Sequence, residues 1–511
     1  MALLEKTSTQ IQNKIRGSLI GGAIGDALGY PIEFLTLNRI KTLYGEKGLR
    51  SYVIDPKSGK ALISDDTQMT LFTANALLCN IWQMNDFSVY HAEYSYFHTA
   101  YLEWYRIQNG EKLEDHHSWL CEIPELTEQR APGTTCMSAL STGFCGLPEE
   151  PINNSKGCGG VMRVAPVALY YDLDWDGKRQ IIKIMTLAAI AAAITHGQPL
   201  AWLSAAALAY IVNRAAFGEH TTDGLYAIAE NSCSALEEAF PKEAYVQEMN
   251  AIIRNAVALA KSDMSDEAGI EKLGEGWTGD EALAIALFCA LRHSESFSDA
   301  VIAAANHSGD SDSTASICGN IVGAWLGIDA IDKQWIDKLE LVDVIQEIAD
   351  DLSMVWTILE KRKKQEIIYD ARTCDPARLH ESEELEKWSV KYNEGSIPPG
   401  KQLLYCDADT FRKEGDIAQY MAREDFVDRI LKPFLETGRI QDKYTFRLAI
   451  QDKRFVCGSV SIFENGWNYR FPMYVFIGIL KEAARQHLRS FPADEPACRN
   501  LLEQIEGKYL K

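Results

Sequence analysis

The sequence predicts an all-α domain over residues 9–365, then a linker at 366–400 and a small α+β domain at 401–511. Three observations carry that expectation. Apolar residues recur at three- and four-residue spacing through the first part; Ala, Leu and Ile dominate there while continuous β-branched runs are scarce; and charge and texture both change near residue 360. The helical patterns are TLFTANALL, IIKIMTLAAIAAAI, PLAWLSAAALAYIVNRAA, DEALAIALFCALRH and ASICGNIVGAWLGI, in that order. The run LEKRKKQE then gives way to the charged, turn-rich stretch ESEELEKWSVKYNEGSIPPGKQ, which reads as the linker. Beyond it, YTFRLAIQ and RFVCGSVSIF read as strands joined through the polar QDKR, and FIGILKEAARQHLRSF as a helix.

Composition narrows the function classes. A hydrophobic fraction of 47% and a charged fraction of 24% are those of a folded globular chain. The N-terminal stretch lacks a basic start followed by an apolar run and cleavage site, and MTLAAIAAAITHG is too short to span a bilayer, so no membrane association is expected. Twelve cysteines without a C-x-x-C pair fit reduced thiols in the cytoplasm better than a disulfide framework or a zinc site. The net charge of -21 argues against generic nucleic-acid binding, since phosphate affinity comes from Lys and Arg. Residues 361–511 carry 26 Lys+Arg against 24 Asp+Glu, so the acidity belongs to the first part.

Two glycine stripes mark that part. Gly17, Gly21, Gly25 and Gly29 recur every four residues, as do Gly319, Gly323 and Gly327. Each helical glycine costs about 0.5–1 kcal/mol relative to alanine, a cost that close backbone approach can offset. Tight helix packing alone explains them; a sharper reading is that this packing gathers Glu33, Asp310 and Asp312 around one cleft.

Two acidic segments precede helical patterns: Ser64-Asp65-Asp66-Thr67 and Gly309-Asp310-Ser311-Asp312-Ser313-Thr314. Helix capping would explain one side chain in each. Each supplies two carboxylates with flanking hydroxyls, and that excess suits a hard divalent cation such as Mg2+, one for each cluster. Neither segment offers His or Cys, which disfavours zinc, and the second lacks the glycine and terminal glutamate of an EF-hand.

These residues, in chain order with RAPG (130–133), SKGCGGVMRVAP (155–166), ITHG (194–197), GEGWTGDEALAIAL (274–287) and NHSGDSDST (306–314), resemble the ADP-ribosylglycohydrolase family. The resemblance covers much of the first 330 residues and none of the chain after about 365. It implies a compact all-α domain with two Mg2+ ions, Mn2+ serving in some members, at the base of an ADP-ribose cleft. It further implies that Ser64, Asp65 and Asp66 ligate metal from one side and Asp310, Asp312 and Ser313 from the other, although the family commonly has Thr where Ser64 and Ser313 stand. Glu33, otherwise a surface carboxylate after Pro31, matches a glutamate beside the metals and suits general acid/base work. Glu33 and Asp66 are the catalytic candidates, Asp66 among the carboxylates that stabilise an oxocarbenium-like sugar. Asp26, on the striped helix, fits a supporting or capping hydrogen bond.

For the ligand, Gly157, Cys158, Gly159 and Gly160 offer a close loop to a diphosphate or ribose, with Cys158 where many relatives have Asn. His196 is either a helix C-terminal partner or, as the resemblance implies, a hydrogen-bond donor in the pocket wall. Trp277 is either core or a platform for adenine. The expected activity is metal-dependent release of ADP-ribose from a modified protein or small molecule, with a C-terminal domain that recognises a protein partner or limits access to the cleft. The rival readings are a non-catalytic ADP-ribose-binding or toxin-neutralising protein, and a hydrolase for another nucleotide-linked glycoside.

Overall fold

The structure is a computed structural model that describes residues 2–80, 92–113, 116, 118–170, 177–218, 224–355, 391–392, 421–422, 425–437, 447–448, 459–464 and 467–509. The chain divides into two units, one of residues 1–81 and 96–395, the other of residues 82–95 and 396–511. The expected linker lies outside the described residues except for Lys391 and Tyr392, as do residues 401–420.

The first unit is helical. Its elements are α1 (Ala2–Gly29), α2 (Leu37–Tyr44), α3 (Asp65–Asn80), α4 (Ala92–Gln108), α5 (Pro124–Thr127), α6 (Thr134–Ser141), α7 (Ala165–Tyr170) and α8 (Gly177–Ala193). There follow α9 (Pro199–Phe217), α10 (Gly224–Ala239), α11 (Val246–Ala260), α12 (Asp266–Glu271), α13 (Gly279–Arg292), α14 (Phe297–Ala305), α15 (Ser311–Leu326) and α16 (Lys333–Lys338). The five apolar patterns read from the sequence fall in α3, α8, α9, α13 and α15.

At the centre are α9, α13 and α15, which are apolar on nearly every side because neighbours surround them. Helix α9 begins at Pro199, and the Gln198 side chain caps it by accepting from the Leu200 amide at 2.6 Å. It is nineteen residues long and apolar enough to cross a membrane by length and composition, a feature absent from the sequence reading, yet most of it is buried in this unit.

Helix α15 is buried from Ser311 to Ala324 and lies against α1, the most extensive helix pair in the unit. The glycine stripes face each other in antiparallel register: Gly17 meets Gly323, Gly21 meets Gly319, Gly25 meets Ala315, and Gly29 meets Ser311. A Cβ at Gly21 would stand 2.6 Å from the Gly319 carbonyl oxygen, and the others would collide with backbone as closely. Gly327 ends α15 at φ 88°, where a β-carbon would be strained.

In the second unit, strands Arg447–Leu448, Ser459–Glu464 and Trp467–Pro472 pair antiparallel in chain order, with Ser459 opposite Pro472 and Glu464 opposite Trp467. Helices Met473–Ser490 and Glu495–Tyr509 follow, and Phe426, Leu431, Phe434, Leu480 and Ile505 share an apolar cluster. The third strand was not foreseen, and the QDKR turn lies outside the described residues. The nine described cysteines are free.

Because backbone rather than a movable side chain opposes each glycine, Gly25→Val is expected to cost about 3 kcal/mol or more, read as a lower urea midpoint. Gly507→Ala, in a helix with open space around it, should be neutral or stabilising by up to about 1 kcal/mol. Equal midpoints for the two variants would refute the packing argument.

Candidate active site

The α1–α15 contact ends where the chemistry begins. Four residues beyond Gly29, a short turn at Tyr30–Ile32 delivers Glu33, while on the facing helix Ser311 opens the first turn that holds Asp312 and Ser313. One oxygen each of Glu33, Asp310 and Asp312 lie within 4.8 Å of one another, a set able to hold a metal ion.

The first acidic segment is fixed from α1. Asp26, fully buried, accepts from the Ser64 amide at 3.0 Å and from the Thr67 amide at 3.1 Å, and the Thr67 hydroxyl donates to it as well. It therefore caps α3 from another helix. Ser64 caps the same turn from within, its Oγ accepting the Asp66 amide at 3.2 Å. The RAPG segment wraps Asp65: the Asp65 amide donates to the Arg130 carbonyl at 2.9 Å, and the Gly133 amide donates to Asp65 Oδ2 at 3.0 Å.

The second segment caps its own helix. Asp310 Oδ1 accepts the Ser313 amide at 3.2 Å, and Asp312 Oδ1 accepts it at 3.0 Å. Ser313 then joins the two segments, its Oγ standing 3.4 Å from Asp66 Oδ1. Asp66 Oδ2 is buried with no hydrogen-bond partner among the described residues. The loop is braced by His307, whose Nδ1 faces the Ser308 carbonyl at 2.9 Å and whose Nε2 faces the Thr314 hydroxyl at 2.7 Å. A carbonyl only accepts, so Nδ1 carries the proton.

Six carboxylates thus share one region, and among the described residues none of them has an ion pair with Lys, Arg or His. Burial, then the charges of Asp310, Asp65 and Asp26, pushes Glu33 up to about 8. Burial pushes Asp65 up to about 8 and Asp26 to about 6, against the hydrogen bonds that favour their charged forms. Asp66 and Asp312 stand well above the usual carboxylate range, from burial first and neighbouring carboxylates second. Bare, Glu33, Asp26, Asp65, Asp66 and Asp312 resist ionisation, and a bound cation would favour their charged forms.

Three loops close around the cluster. The Cys158 amide donates to the Trp277 carbonyl at 3.2 Å, Gly157 bridges Thr278, the Gly279 amide donates to the Lys156 carbonyl at 2.8 Å, and the Asp310 amide donates to the Glu275 carbonyl at 2.9 Å. Gly157 donates to Ser155 Oγ, so two amides of the expected phosphate cradle are engaged by protein. The glycines there serve packing: a Cβ on Gly159 would press on Cys136 and His196, and one on Gly160 on Ala192. Cys158 Sγ points at the acidic cluster, 2.7 Å from Asp310 Oδ2, and burial followed by the Asp310 charge raises its thiol pKa well above the ordinary value.

Trp277 is half-buried rather than core. Its ring stacks on Phe34 with centroids 5.3 Å apart and planes 19° apart, and its Nε1 donates to Glu275 Oε2 at 3.1 Å. One face expected for adenine is thus occupied. Phe34, which immediately follows Glu33, is 68% exposed and sits at φ 65°, a costly backbone for a bulky residue. Sequence reasoning gave it no role.

The model of the ADP-ribosylglycohydrolase family matches residues 7–362. The chain belongs to the ADP-ribosylglycohydrolase family. It is 28% identical over 348 residues to an uncharacterized protein of Archaeoglobus fulgidus, spanning 67% of this chain and 96% of that one. It is 23% identical to the ADP-ribosylarginine hydrolase Tri1 of Pseudomonas putida, spanning 68% and 79% of the two chains. A solved ADP-ribosylglycohydrolase-related protein complex aligns over 68% of this chain and 99% of that one, at 23% identity and a TM-score of 0.46.

Within this family member, His196 is reached by a relay the sequence reading missed. Arg163, fully buried, donates from its guanidinium to the Ala191 carbonyl and the Thr195 Oγ1, each at 2.8 Å, and lies 4.1 Å from the Tyr101 ring centre. A single Arg inside the apolar run VMRVAPVAL was the available signal. Thr195 accepts from Arg163 and stands 2.8 Å from His196 Nδ1. Its hydroxyl proton is therefore free for Nδ1, which leaves Nε2 protonated and facing the Gly157–Gly159 turn.

Burial, then Arg163, lowers His196 to about 3. Unfolding restores a pKa near 6.5, so the unfolded state takes up this proton as pH falls below about 6.5 while the folded state refuses it until about 3; stability from this residue is lost across that window. Nitrogen NMR should show His196 neutral and Nε2-protonated at pH 5, and Thr195→Val should remove the tautomer preference. Protonation of His196 midway between pH 6 and 7 would contradict the relay.

Proposed function

We propose that this chain hydrolyses the glycosidic bond joining ADP-ribose to a protein side chain or small acceptor, with two Mg2+ ions bound by the acidic segments. The observation that carries the reading is the convergence of Glu33, Asp65, Asp66, Asp310 and Asp312, from stretches nearly 280 residues apart, into one largely buried cluster that has no ion pair with Lys, Arg or His among the described residues. The donors fit hard ions: nearly all are oxygens, and Asp66 Oδ2 has no protein partner. Ser64, Asp65 and Asp66 hold one side and Asp310, Asp312 and Ser313 the other, with Mn2+ an acceptable substitute. Bound ions supply Lewis acidity and charge that orient a ribose diol and lower the pKa of water.

The chain's own groups perform the rest. Glu33, at the partly exposed edge of the cluster, passes a proton between its carboxyl oxygen and the leaving atom or the incoming water. Asp66 faces the positive charge that grows on the sugar as the bond opens. His196 Nε2 offers a donor beside the glycine turn. At the rim, the exposed Phe34 stacked on Trp277, with the Glu275 carboxylate, makes an aromatic and acidic surface suited to a guanidinium, which favours an arginine-linked substrate like that in the name of the Pseudomonas relative. We assign the activity to the cytoplasm on cysteine usage, and recognition of the protein carrier to the C-terminal residues 401–511.

ADP-ribose should be released from an ADP-ribosylated arginine peptide with Mg2+ and not with chelator. Asp310→Asn and Glu33→Gln should each lower kcat by about 10²–10⁴-fold. Binding of ADP-ribose without release from arginine-, serine- or nucleobase-linked substrates would favour the non-catalytic reading. Phe34→Ala should raise KM for the arginine-linked substrate by about five- to thirtyfold, the worth of a cation–π contact of about 1–2 kcal/mol, and should leave a serine-linked one little changed.

A further inference from the structure

Among the described residues, the ion pair of Arg130 with Glu340 is the most deeply buried, with Nη2 3.2 Å from Oε1 and side chains 13% and 5% exposed. It lies in neither acidic segment, yet both partners are bonded into the first one. Glu340 Oε2 accepts the Ile63 amide at 3.1 Å, the Ala61 amide donates to the Lys338 carbonyl at 2.8 Å, and the Glu340 amide donates to the Ala61 carbonyl at 3.0 Å. On the other side the Arg130 carbonyl accepts the Asp65 amide at 2.9 Å, the Gln68 side chain donates to the Glu128 carbonyl at 3.0 Å, and the Gly133 amide donates to Asp65 Oδ2 at 3.0 Å. Residues 128–133 thus form a strap on the first turn of α3. The guanidinium holding that strap has Glu340 as its one hydrogen-bond partner among the described residues, and its Nη1 is buried without one. Backbone strain gathers at the same place. Of the three non-glycine residues at positive φ among the described ones, two directly follow the members of this pair, Ala131 at 53° and Leu341 at 54°. Such conformations persist only where their surroundings hold them.

We propose that Arg130 and Glu340 are a positioning pair for Asp65, fixing the strap against the residues before α3 so that the Gly133 amide orients the Asp65 carboxylate for a metal ion. This rests on the metal-dependent reading above and deepens it by naming what sets one of the ligands. The contacts close a ring: Glu340 to the Ile63 amide, along the chain to Asp65, from the Asp65 amide to the Arg130 carbonyl, and from the Arg130 side chain back to Glu340. Opening the ring at the ion pair frees the strap to slide, and the Gly133 amide moves with it. Stability alone is a poor reason for such a pair, because apolar residues of similar volume often replace a buried ion pair without loss. Direction is what they cannot replace, since a guanidinium and a carboxylate meet in a fixed hydrogen-bonding geometry. Groups that orient a metal ligand without touching the metal are worth about 10–100-fold in metal affinity or activity.

The test uses the full chain stripped of metal and titrated with Mg2+ by calorimetry, with amide hydrogen exchange and the urea midpoint measured on the same samples. Arg130→Met combined with Glu340→Leu removes both charges at similar volume. Glu340→Gln keeps the shape but leaves one acceptor oxygen, which cannot serve both Ile63 and Arg130. In both, Mg2+ affinity should fall about 10–100-fold and exchange at the Asp65 and Gly133 amides should quicken in the metal-free chain. At saturating Mg2+, kcat should fall while KM for the substrate changes little. Arg130→Lys, which keeps a charge without the planar fork, should lie between Arg130→Met and the unaltered chain. Asp266→Asn, which breaks a pair with Arg292 at 3.1 Å, should leave Mg2+ affinity unaltered whatever it does to the midpoint. A folded Glu340→Gln chain with unchanged Mg2+ affinity, or with unchanged exchange at Asp65 and Gly133, overturns the proposal. Should the double variant not fold, Glu340→Gln and Arg130→Lys decide the matter. Failure of the metal-dependent reading is distinguishable: the unaltered chain then gives no Mg2+ heat at all, and the positioning role falls with it.

Discussion

The rest of this structure depends on backbone touching backbone between α1 and α15. Helices usually keep their axes 8–10 Å apart because side chains stand between them. Here glycines on both sides remove the spacers, and the two chains run antiparallel with positions 17, 21, 25 and 29 against 323, 319, 315 and 311. Such a contact is short-ranged and intolerant of substitution, so it fixes rotation, separation and register together. Register matters most: it sets the residues after Gly29 beside the residues around Ser311, and therefore Glu33 beside Asp310 and Asp312. A looser, leucine-lined interface would hold the helices together without specifying that meeting to an ångström.

A second constraint is electrostatic. Gathering carboxylates in a buried place opposes folding, since each loses solvent and repels the others. The chain answers in part with amides: Asp26 accepts from the first turn of α3, Asp65 from Gly133, and Asp310 from the first turn of α15. Those contacts orient the oxygens but leave the charge uncompensated, and the cations nearby are used otherwise. Arg130 pairs with Glu340 at 3.2 Å, and Arg163 is spent on carbonyl, hydroxyl and aromatic partners. The net arrangement is a set of oriented carboxyl oxygens that none of these nearby cationic side chains neutralises.

Much of this was legible in the sequence because the responsible residues are locally conspicuous. Glycines four apart announce a bare helix face, and paired aspartates before an apolar pattern exceed what capping requires. The helical patterns were legible for the same reason, since periodicity of 3.6 is written in consecutive residues. Contacts between distant segments were not. Nothing near Phe34 signals that it will stack on Trp277 at a positive φ, because that conformation is imposed by the turn carrying Glu33. The relay from Arg163 through Thr195 to His196 needs a helix end and a loop to meet, and only the isolated charge in VMRVAPVAL hinted at it. The glycine turn left two uses open: a run that could admit phosphate is equally a run that admits a neighbouring imidazole, and His196 lies against it.

The alternatives of capping and ligation, which looked opposed in the sequence, are compatible in one arrangement. A carboxylate has two oxygens, and a helix cap uses one. Asp310 gives Oδ1 to the Ser313 amide and presents Oδ2 to the cluster, toward Cys158. Asp66, placed one residue inside α3, keeps Oδ1 near Ser313 and leaves Oδ2 without a protein partner. The cap locks the side-chain torsions, so the second oxygen is aimed with little remaining freedom, and the positive end of each helix offsets some of the repulsion that aiming creates. Two helix N-termini, that of α15 set by the glycine contact with α1 and that of α3 held by Asp26 of α1, thereby become two jaws lined with oxygens. This explains why both acidic segments lie at helix starts rather than along helix faces: only there can backbone amides orient carboxylates without neutralising them.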